Sequence, residues 1–79
     1  MPLKELIHAI AVELVDQPDQ VQVTEVASGD NNTVIELRVA KNDVGKVIGR
    51  DGRTAQSMRT ILTAVSTKLG RRAHLDIVD

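Results

Sequence analysis

Aromatic residues and cysteine are both absent from this 79-residue chain. Without Phe, Tyr or Trp, any core must be built from aliphatic side chains. Without cysteine, neither a disulfide framework nor a thiolate metal site can form, which agrees with a reducing compartment. The apolar fraction of 42% still permits an ordinary core, and the length suits one small domain, so we expect a single domain over residues 1–79.

Long apolar runs are also missing, as are the residue clusters that carry catalysis. No run reaches the length of a membrane span, and the N-terminal segment lacks the layout of a signal peptide, so we expect a soluble cytoplasmic protein. His8 and His74 lie far apart in sequence and have no ligand cluster around them. No nucleophile–base pair and no phosphate loop occurs either. The sequence therefore predicts a protein that is not an enzyme and holds no metal and no cofactor.

Charge is nearly balanced overall but unevenly divided along the chain. The net charge is −1, yet residues 1–40 contain two bases and seven acids, whereas residues 41–79 contain eight bases and four acids. A basic half favours a polyanionic ligand, provided that folding places the bases on one face.

Two long amphipathic helices are predicted from the apolar periodicity. The first begins at Pro2 and ends near Asp16, ahead of Pro18, and the second runs from Arg53 to a C-terminal cap at Gly70. The stripe of the first is Leu3, Leu6, Ile7, Ile10 and Leu14. The stripe of the second is Ala55, Met58, Ile61, Leu62, Val65 and Leu69.

Three other segments alternate as strands do, and a turn at GDNN joins the first two. In the first strand Val21 and Val23 share a face, and Val26 breaks the alternation, which predicts a bulge or shift there. The inward positions of the other two strands are Ile35, Leu37 and Val39, and Ala73, Leu75 and Ile77. The order α-β-β-α-α-β predicts a hairpin, a helical crossover to a parallel third strand, and an α+β sandwich with the helices on one face of the sheet.

The segment GKVIGRDGRT links the last two helices. A short helix capped by Asn42 or Asp43 ends near Ile48, and glycines at 49 and 52 then permit a sharp reversal and a close approach by a ligand. The next helix offers unpaired N–H groups and its positive dipole end to an anion. A lone GxxG is more often a plain tight turn, but here bases surround it. They are Lys46, Arg50 and Arg53, with Arg59 further along.

The stretch GKVIGRDGRTAQSMRTI resembles the signature of the K-homology (KH) RNA-binding domain, and the element order resembles its bacterial, type II form. The KELI and LVD segments near the start, VIEL in the middle and IVD at the end extend the likeness over essentially the whole chain. The chain is thus similar to the KhpA (YlqC-like) family of small bacterial KH proteins. The resemblance implies a type II KH domain with a three-stranded mixed sheet.

The resemblance also implies that the GxxG loop and an aliphatic groove hold about four nucleotides of single-stranded RNA. Arg50 would contact phosphate, Ile48 would help to floor the groove, and a variable loop at residues 28–32 would lie opposite the GxxG loop. Asp51 places a negative charge in the loop, so its side chain either faces solvent or caps the next helix. The expected RNA-binding residues are Gly49, Arg50, Asp51, Gly52, Lys46, Ile48, Arg53 and Arg59.

For partners, the resemblance implies a homodimer, a heterodimer with a KhpB (Jag-like) KH protein, or both, and a role as an RNA chaperone or post-transcriptional regulator linked to cell elongation and division. The exposed side of the last helix, around Thr60, Ile61 and Ala64, is one candidate dimer face. The alternative hypothesis is a protein–protein interaction module whose RNA groove is vestigial. Asp51 and the near-neutral net charge favour that alternative.

Overall fold

A computed structural model describes residues 3–78 of the chain and gives the predicted order of elements. Pro2, the predicted start of the first helix, and Asp79, at the end of the predicted last strand, lie outside these residues. The helices are α1 (Leu3–Leu14), α2 (Val44–Ile48) and α3 (Arg53–Lys68), and the strands are β1 (Gln22–Ala27), β2 (Asn32–Arg38) and β3 (Arg72–Val78). Short 3₁₀ turns lie at Pro18–Gln20, Lys41–Asp43 and Arg50–Gly52.

The sheet has the order β1-β2-β3, with β1 antiparallel and β3 parallel to β2. The predicted hairpin and parallel crossover are therefore confirmed. The predicted bulge at Val26 is wrong, because the pairing runs without interruption from Gln22↔Arg38 to Ala27↔Thr33. Val26 simply continues the alternation onto the outer face of the sheet, where it is exposed.

An aliphatic core lies between one face of the sheet and the helices. All the predicted inward positions of β2 and β3 are buried or half-buried, which confirms the predicted strand faces. From α1 the core receives Leu3 and Ile7, as predicted, and also Ala11, whereas Leu14 is exposed. The small Ala11 side chain was missed because alanine gives only a weak apolar signal in a periodicity argument.

The buried face of α3 is narrower than predicted. Ala55, Met58 and Leu62 are buried, but Ile61 and Leu69 are exposed, and the fourth buried position is Ser66. Spacings of three and four residues keep these four positions on one stripe, whereas Ile61 is rotated out of it. The Ser66 hydroxyl donates to the Thr63 carbonyl at 3.1 Å, so a polar side chain can be buried there without losing a hydrogen bond.

Helix α3 separates the GxxG turn, which precedes it, from the turn at Gly70, which follows it. Its 16 residues span about 24 Å at the usual rise per residue. Beyond its last residue, Lys68, Gly70 adopts the left-handed conformation, and the Gly70 and Arg71 amides donate to the Thr67 and Ser66 carbonyls. This is the Schellman arrangement, and it confirms Gly70 as the terminator of the helix.

Candidate nucleic-acid interface

The GxxG turn connects α2 to α3 through three residues with positive φ. Gly49 has φ 78° and ψ 173°, a combination open essentially to glycine alone. Asp51 (φ 56°) and Gly52 (φ 74°) are both left-handed. The chain therefore reverses between Ile48 and Arg53 by the mechanism that the two glycines predicted.

The two glycines of the turn meet different surroundings. A Cβ atom built on Gly49 would lie 2.7 Å from the Thr54 Cβ and 2.9 Å from the Thr54 amide nitrogen, so the first turn of α3 fills that space. A Cβ built on Gly52 would meet nothing within 4 Å. Packing therefore requires glycine at 49, whereas at 52 only the backbone conformation favours it and the space beside it is open.

The backbone amides of the turn divide into used and unused donors. The Gly52 amide donates to the Gly49 carbonyl at 3.1 Å, and the Arg53 amide donates to the Arg50 carbonyl. The sequence predicted unpaired N–H groups at the start of α3, and the first of these, the Arg53 amide, is instead paired within the turn. Among residues 3–78, no hydrogen-bond acceptor is found for the amides of Arg50 and Asp51. The free donors are thus those of the two central residues of the loop.

The charged side chains of the turn are exposed. In the described part of the chain, neither Arg50 nor Arg53 forms a side-chain hydrogen bond or an ion pair. Asp51 is also exposed, and within residues 3–78 its carboxylate accepts no hydrogen bond from the first turn of α3. Of the two orientations considered for Asp51, capping of α3 is therefore not the one adopted. Two unpaired guanidinium groups and two unpaired amides consequently lie within four consecutive residues.

An apolar surface continues from the turn along α2. Ile48 has 38% of its surface exposed, although it directly follows the fully buried Val47. Val44 lies one helical turn before Ile48 and therefore on the same side of α2. It lines an open cavity of about 560 Å³ together with Arg38, Val39, Lys41 and Val78. The cavity thus combines three valines with two bases at the N-terminal end of the helix that leads to the GxxG turn.

Arg38, Lys41 and Val78 were not among the predicted site residues. The parallel register pairs Arg38 with Val78, so the ends of β2 and β3 meet at the start of α2. The predicted topology contained this information, because parallel neighbours joined by a crossover end at the same edge of the sheet. The sequence signal for this surface was Val78, an apolar residue at an outward-facing position at the end of β3.

Lys46 differs from Arg50 and Arg53 in that its charge is paired. Its ammonium is 3.1 Å from the Asp16 carboxylate and 3.6 Å from that of Asp43. The pKa of Lys46 is raised above its usual value, first by the hydrogen bond to Asp16 and then by the charges of the two carboxylates. The group therefore remains charged at neutral pH, but its charge is already paired within the protein.

Arg59 lies on α3 beside the free edge of the sheet. Its guanidinium donates to the Leu75 carbonyl of β3 at 3.5 Å, a long hydrogen bond. Six residues separate it from Arg53, about 9 Å along the helix. Arg59 therefore lies where α3 packs beside β3, and it is not part of the GxxG turn.

The loop at residues 28–32 lies at the other end of α3. Asp30, Asn31 and Asn32 line a polar cavity of about 480 Å³ together with Thr67, Gly70, Arg71 and Arg72. The GxxG turn precedes the first residue of α3, so the length of that helix separates the two loops. The structure places this loop beside the C-terminal end of α3, and its position opposite the GxxG loop across an RNA groove stays a prediction.

Two other classes of site find no support in the described residues. Nowhere in residues 3–78 do three metal-ligating side chains come together, and His8 and His74 are both exposed. None of the helices that the structure describes is long and apolar enough to cross a bilayer.

Sequence and structure comparisons give concordant matches. A family model described as the KH domain of KhpA/KhpB matches residues 4–77. The chain is 49% identical over 77 residues to "RNA-binding protein KhpA" of Aquifex aeolicus, covering 98% of this chain and 96% of that protein. Proteins of the same name from Clostridium acetobutylicum (45% identical; 96% and 100% covered) and Borreliella burgdorferi (48%; 95% and 90%) are also similar.

Among solved structures, the fold resembles part of Era. Aquifex aeolicus Era bound to GDP·AlF4− superposes with a TM-score of 0.64 at 23% identity, over 98% of this chain and 31% of that one. Era in complex with MgGDPNP and a segment of 16S ribosomal RNA gives 0.63 at 24% identity, over 98% and 30%. The chain spans about a third of the length of Era, and at these identities the likeness concerns the fold alone.

Proposed function

The chain belongs to the KhpA/KhpB KH-domain family, and on that premise we propose that it is a single-domain, cytoplasmic protein that binds single-stranded RNA. The ligand backbone lies against the GxxG loop of Gly49, Arg50, Asp51 and Gly52. Arg50 and Arg53 pair with phosphate groups. The nucleobases of the RNA face the aliphatic surface that begins at Ile48.

One observation carries this proposal: within residues 3–78 the amides of Arg50 and Asp51 have no hydrogen-bond acceptor, and they lie beside two guanidinium groups that have no partner there either. Unpaired backbone donors and cations together favour a phosphate oxygen, because both kinds of contact strengthen when the acceptor is charged. The open space beside Gly52 lets a nucleotide backbone approach that position.

The aliphatic surface gives the bases an apolar site without aromatic stacking. Ile48 and Val44 lie on one side of α2, and the cavity behind Val44 contains Arg38 and Lys41 at its edge. A nucleotide combines an apolar ring face with an anionic phosphate, so a cavity that pairs valines with basic side chains suits it. We propose that RNA extends from the GxxG turn along α2 toward this cavity.

Lys46 and Arg59 contribute less directly. That Lys46 contacts RNA stays a prediction, and its ion pairs with Asp16 and Asp43 argue against it. Arg59 is exposed along α3 and can contact phosphate only if the RNA also follows the edge of β3. We therefore assign the main phosphate contacts to Arg50 and Arg53.

The proposal is tested by measuring the affinity for short single-stranded RNA by fluorescence anisotropy at fixed salt. Arg50→Asp is expected to weaken binding at least tenfold, because it replaces a phosphate partner with a repelling charge. Lys68→Asp is the matched control, since it makes the same charge change on an exposed residue at the far end of α3. Equal losses for both variants would indicate nonspecific attraction and contradict a GxxG site.

We also propose that the protein acts as a dimer, either with itself or with a KhpB (Jag-like) KH protein, and serves as an RNA chaperone or post-transcriptional regulator linked to cell elongation and division. The exposed Ile61 on α3, flanked by Thr60 and Ala64, supports a protein contact on that face, because this apolar residue is 43% exposed. Ile61→Lys is expected to shift sedimentation toward monomer.

If Ile61→Lys abolishes partner binding and Arg50→Asp leaves RNA binding unchanged, the interaction-module hypothesis replaces the RNA-binding one.

A further inference from the structure

Asp43 is a buried carboxylate that the RNA-binding proposal does not use. Only 1% of its surface is exposed, although it carries a charge and lies at the start of α2. It was predicted as one of two candidate caps for that helix, but its side chain makes no capping bond. Burial of a charged group requires partners that offset the loss of hydration, and these partners come from elsewhere in the chain.

The partners of Asp43 lie in the segment that follows α1. Its Oδ1 accepts from the Asp16 amide at 3.2 Å, and its Oδ2 accepts from the Gln17 amide at 3.1 Å. The Lys46 ammonium then lies 3.6 Å from Oδ1 and 3.1 Å from the Asp16 carboxylate. We call Asp43, Lys46, Asp16 and Gln17 the Asp43 cluster. It joins the segment after α1 to α2, across 26 and 27 residues of sequence.

Helix α2 depends on such external contacts because it is short. With five residues it is far below the length at which a helix is stable by itself. Val47 is its only buried residue among those described. The position of α2 is therefore set by the packing of Val47 and of the half-buried Val44 and by the Asp43 cluster. The GxxG turn begins directly where α2 ends.

We propose that Asp43 is a positioning residue for the GxxG turn: it fixes α2 to the segment after α1 and so holds the free amides of the loop in place. The expected effect on RNA affinity rests on the proposed function, whereas the fixing of α2 by Asp43 does not. Lys46 belongs to the same device and acts through the fold, not through phosphate. Loss of the cluster lowers the fraction of molecules whose turn is ready to bind, which weakens the apparent affinity by that fraction.

Amide hydrogen exchange without RNA tests the structural content. Asp43→Ala is expected to speed exchange about tenfold or more at Val47, Ile48 and Gly49, because a buried charged hydrogen bond is lost. Amides of the central strand, such as that of Ile35, should change much less. Asp30→Ala is the control, since it removes the same charge from an exposed loop. Unchanged exchange in α2, or an equal increase across the whole chain, would overturn the proposal.

RNA affinity at several salt concentrations tests the functional consequence. Asp43→Ala is expected to weaken binding about fivefold with the salt slope unchanged, because no phosphate contact is removed. Lys46→Met should likewise leave the slope unchanged. Asp43→Asn keeps one acceptor oxygen and should recover part of the affinity. It also serves as the second variant if Asp43→Ala does not fold.

The two proposals fail in distinguishable ways. If wild-type protein binds no RNA, the proposed function fails, while the exchange experiment still decides the role of Asp43. If exchange in α2 rises but RNA affinity does not fall, or if Asp43→Ala and Arg50→Gln reduce the salt slope equally, Asp43 is not a positioning residue for RNA binding.

Discussion

The two ends of α3 carry similar residues but differ in how their polar groups are satisfied. Both ends have a glycine with positive φ next to arginine. At the C-terminal end, the Gly70 and Arg71 amides pair with helix carbonyls, and the Arg71 guanidinium donates to Glu25 at 2.8 Å and to Thr33 at 3.4 Å. At the N-terminal end, the amides of Arg50 and Asp51 and the guanidinium groups of Arg50 and Arg53 have no partner among the described residues.

This difference separates a structural turn from a candidate binding turn. Glycine and arginine alone do not identify a site, because at one end of α3 they terminate the helix and join it to the sheet. What identifies the other end is the set of donors that the fold leaves unsatisfied. The same comparison distinguishes Lys46, which is paired, from Arg50, which is only four residues away.

The largest expected effect separates the glycines by packing. Gly49→Ala should lower the free energy of unfolding by about 3 kcal/mol, because it adds a clash with Thr54 to a strained backbone conformation. Gly52→Ala and Gly70→Ala should each cost about 1 kcal/mol, because each puts a Cβ into open space and only the left-handed conformation is disfavoured. Urea denaturation measures all three, and equal losses at Gly49 and Gly52 would contradict the packing argument.

A second prediction compares glycines of equal structural cost. Gly52→Ala should weaken single-stranded RNA binding about tenfold, since even a methyl group keeps a nucleotide backbone away from the loop. Gly70→Ala should leave the affinity unchanged, because its turn is already closed by its own hydrogen bonds. Titration of labelled RNA checks this pair. A similar effect of both variants would mean that the two ends of α3 do not differ in function.

A smaller effect is expected at Asp51, the only acid in the loop. Asp51→Asn removes the negative charge and retains a residue that tolerates the left-handed conformation. RNA affinity should rise about threefold, as expected for relief of an exposed like-charge interaction. Asp30→Asn is the matched control in the loop at the other end. Weaker RNA binding by Asp51→Asn would show that the carboxylate contributes a favourable contact.

The smallest effect concerns the paired arginine. Arg71→Gln should lower the free energy of unfolding by only about 0.5 kcal/mol, because the ion pair with Glu25 is partly exposed. A double-mutant cycle with Glu25→Gln isolates the pair. A coupling energy near zero would show that this end of α3 is closed by the Schellman bonds alone.

Most of the fold followed from local patterns, whereas contacts between residues distant in sequence could not be predicted. Alternation gave the faces of β2 and β3, and the element order gave the parallel pairing. The role of Asp43 could not be foreseen, because its partners lie 26 and 27 residues away and its own position also suits a helix cap. The same holds for Lys46, whose pairing with Asp16 is visible only after α1 and α2 come together.

The position of the GxxG turn was predicted, but the hydrogen bonding of its amides was not. The spacing of Gly49 and Gly52 located the turn. It did not show that the Gly52 and Arg53 amides are used internally, because a 3₁₀ turn and a free helix start have the same sequence signals. Periodicity assigns Leu69 to the core stripe and leaves Ile61 between that stripe and a dimer face, because it counts apolar residues and takes no account of Ser66, which is buried with its hydroxyl bonded.

The claim that the N-terminal end of α3 binds phosphate and the C-terminal end does not is tested most directly by salt dependence. The measurement is the affinity of wild type, Arg50→Gln and Arg71→Gln for short single-stranded RNA at several salt concentrations. The open turn predicts that the logarithm of the association constant falls linearly with the logarithm of salt concentration. Arg50→Gln should reduce that slope by about 0.7, the value for one phosphate contact on a single strand, and Arg71→Gln should not change it. Equal slopes for wild type and Arg50→Gln, or no binding by wild type at low salt, would contradict the assignment of the GxxG turn as the phosphate site.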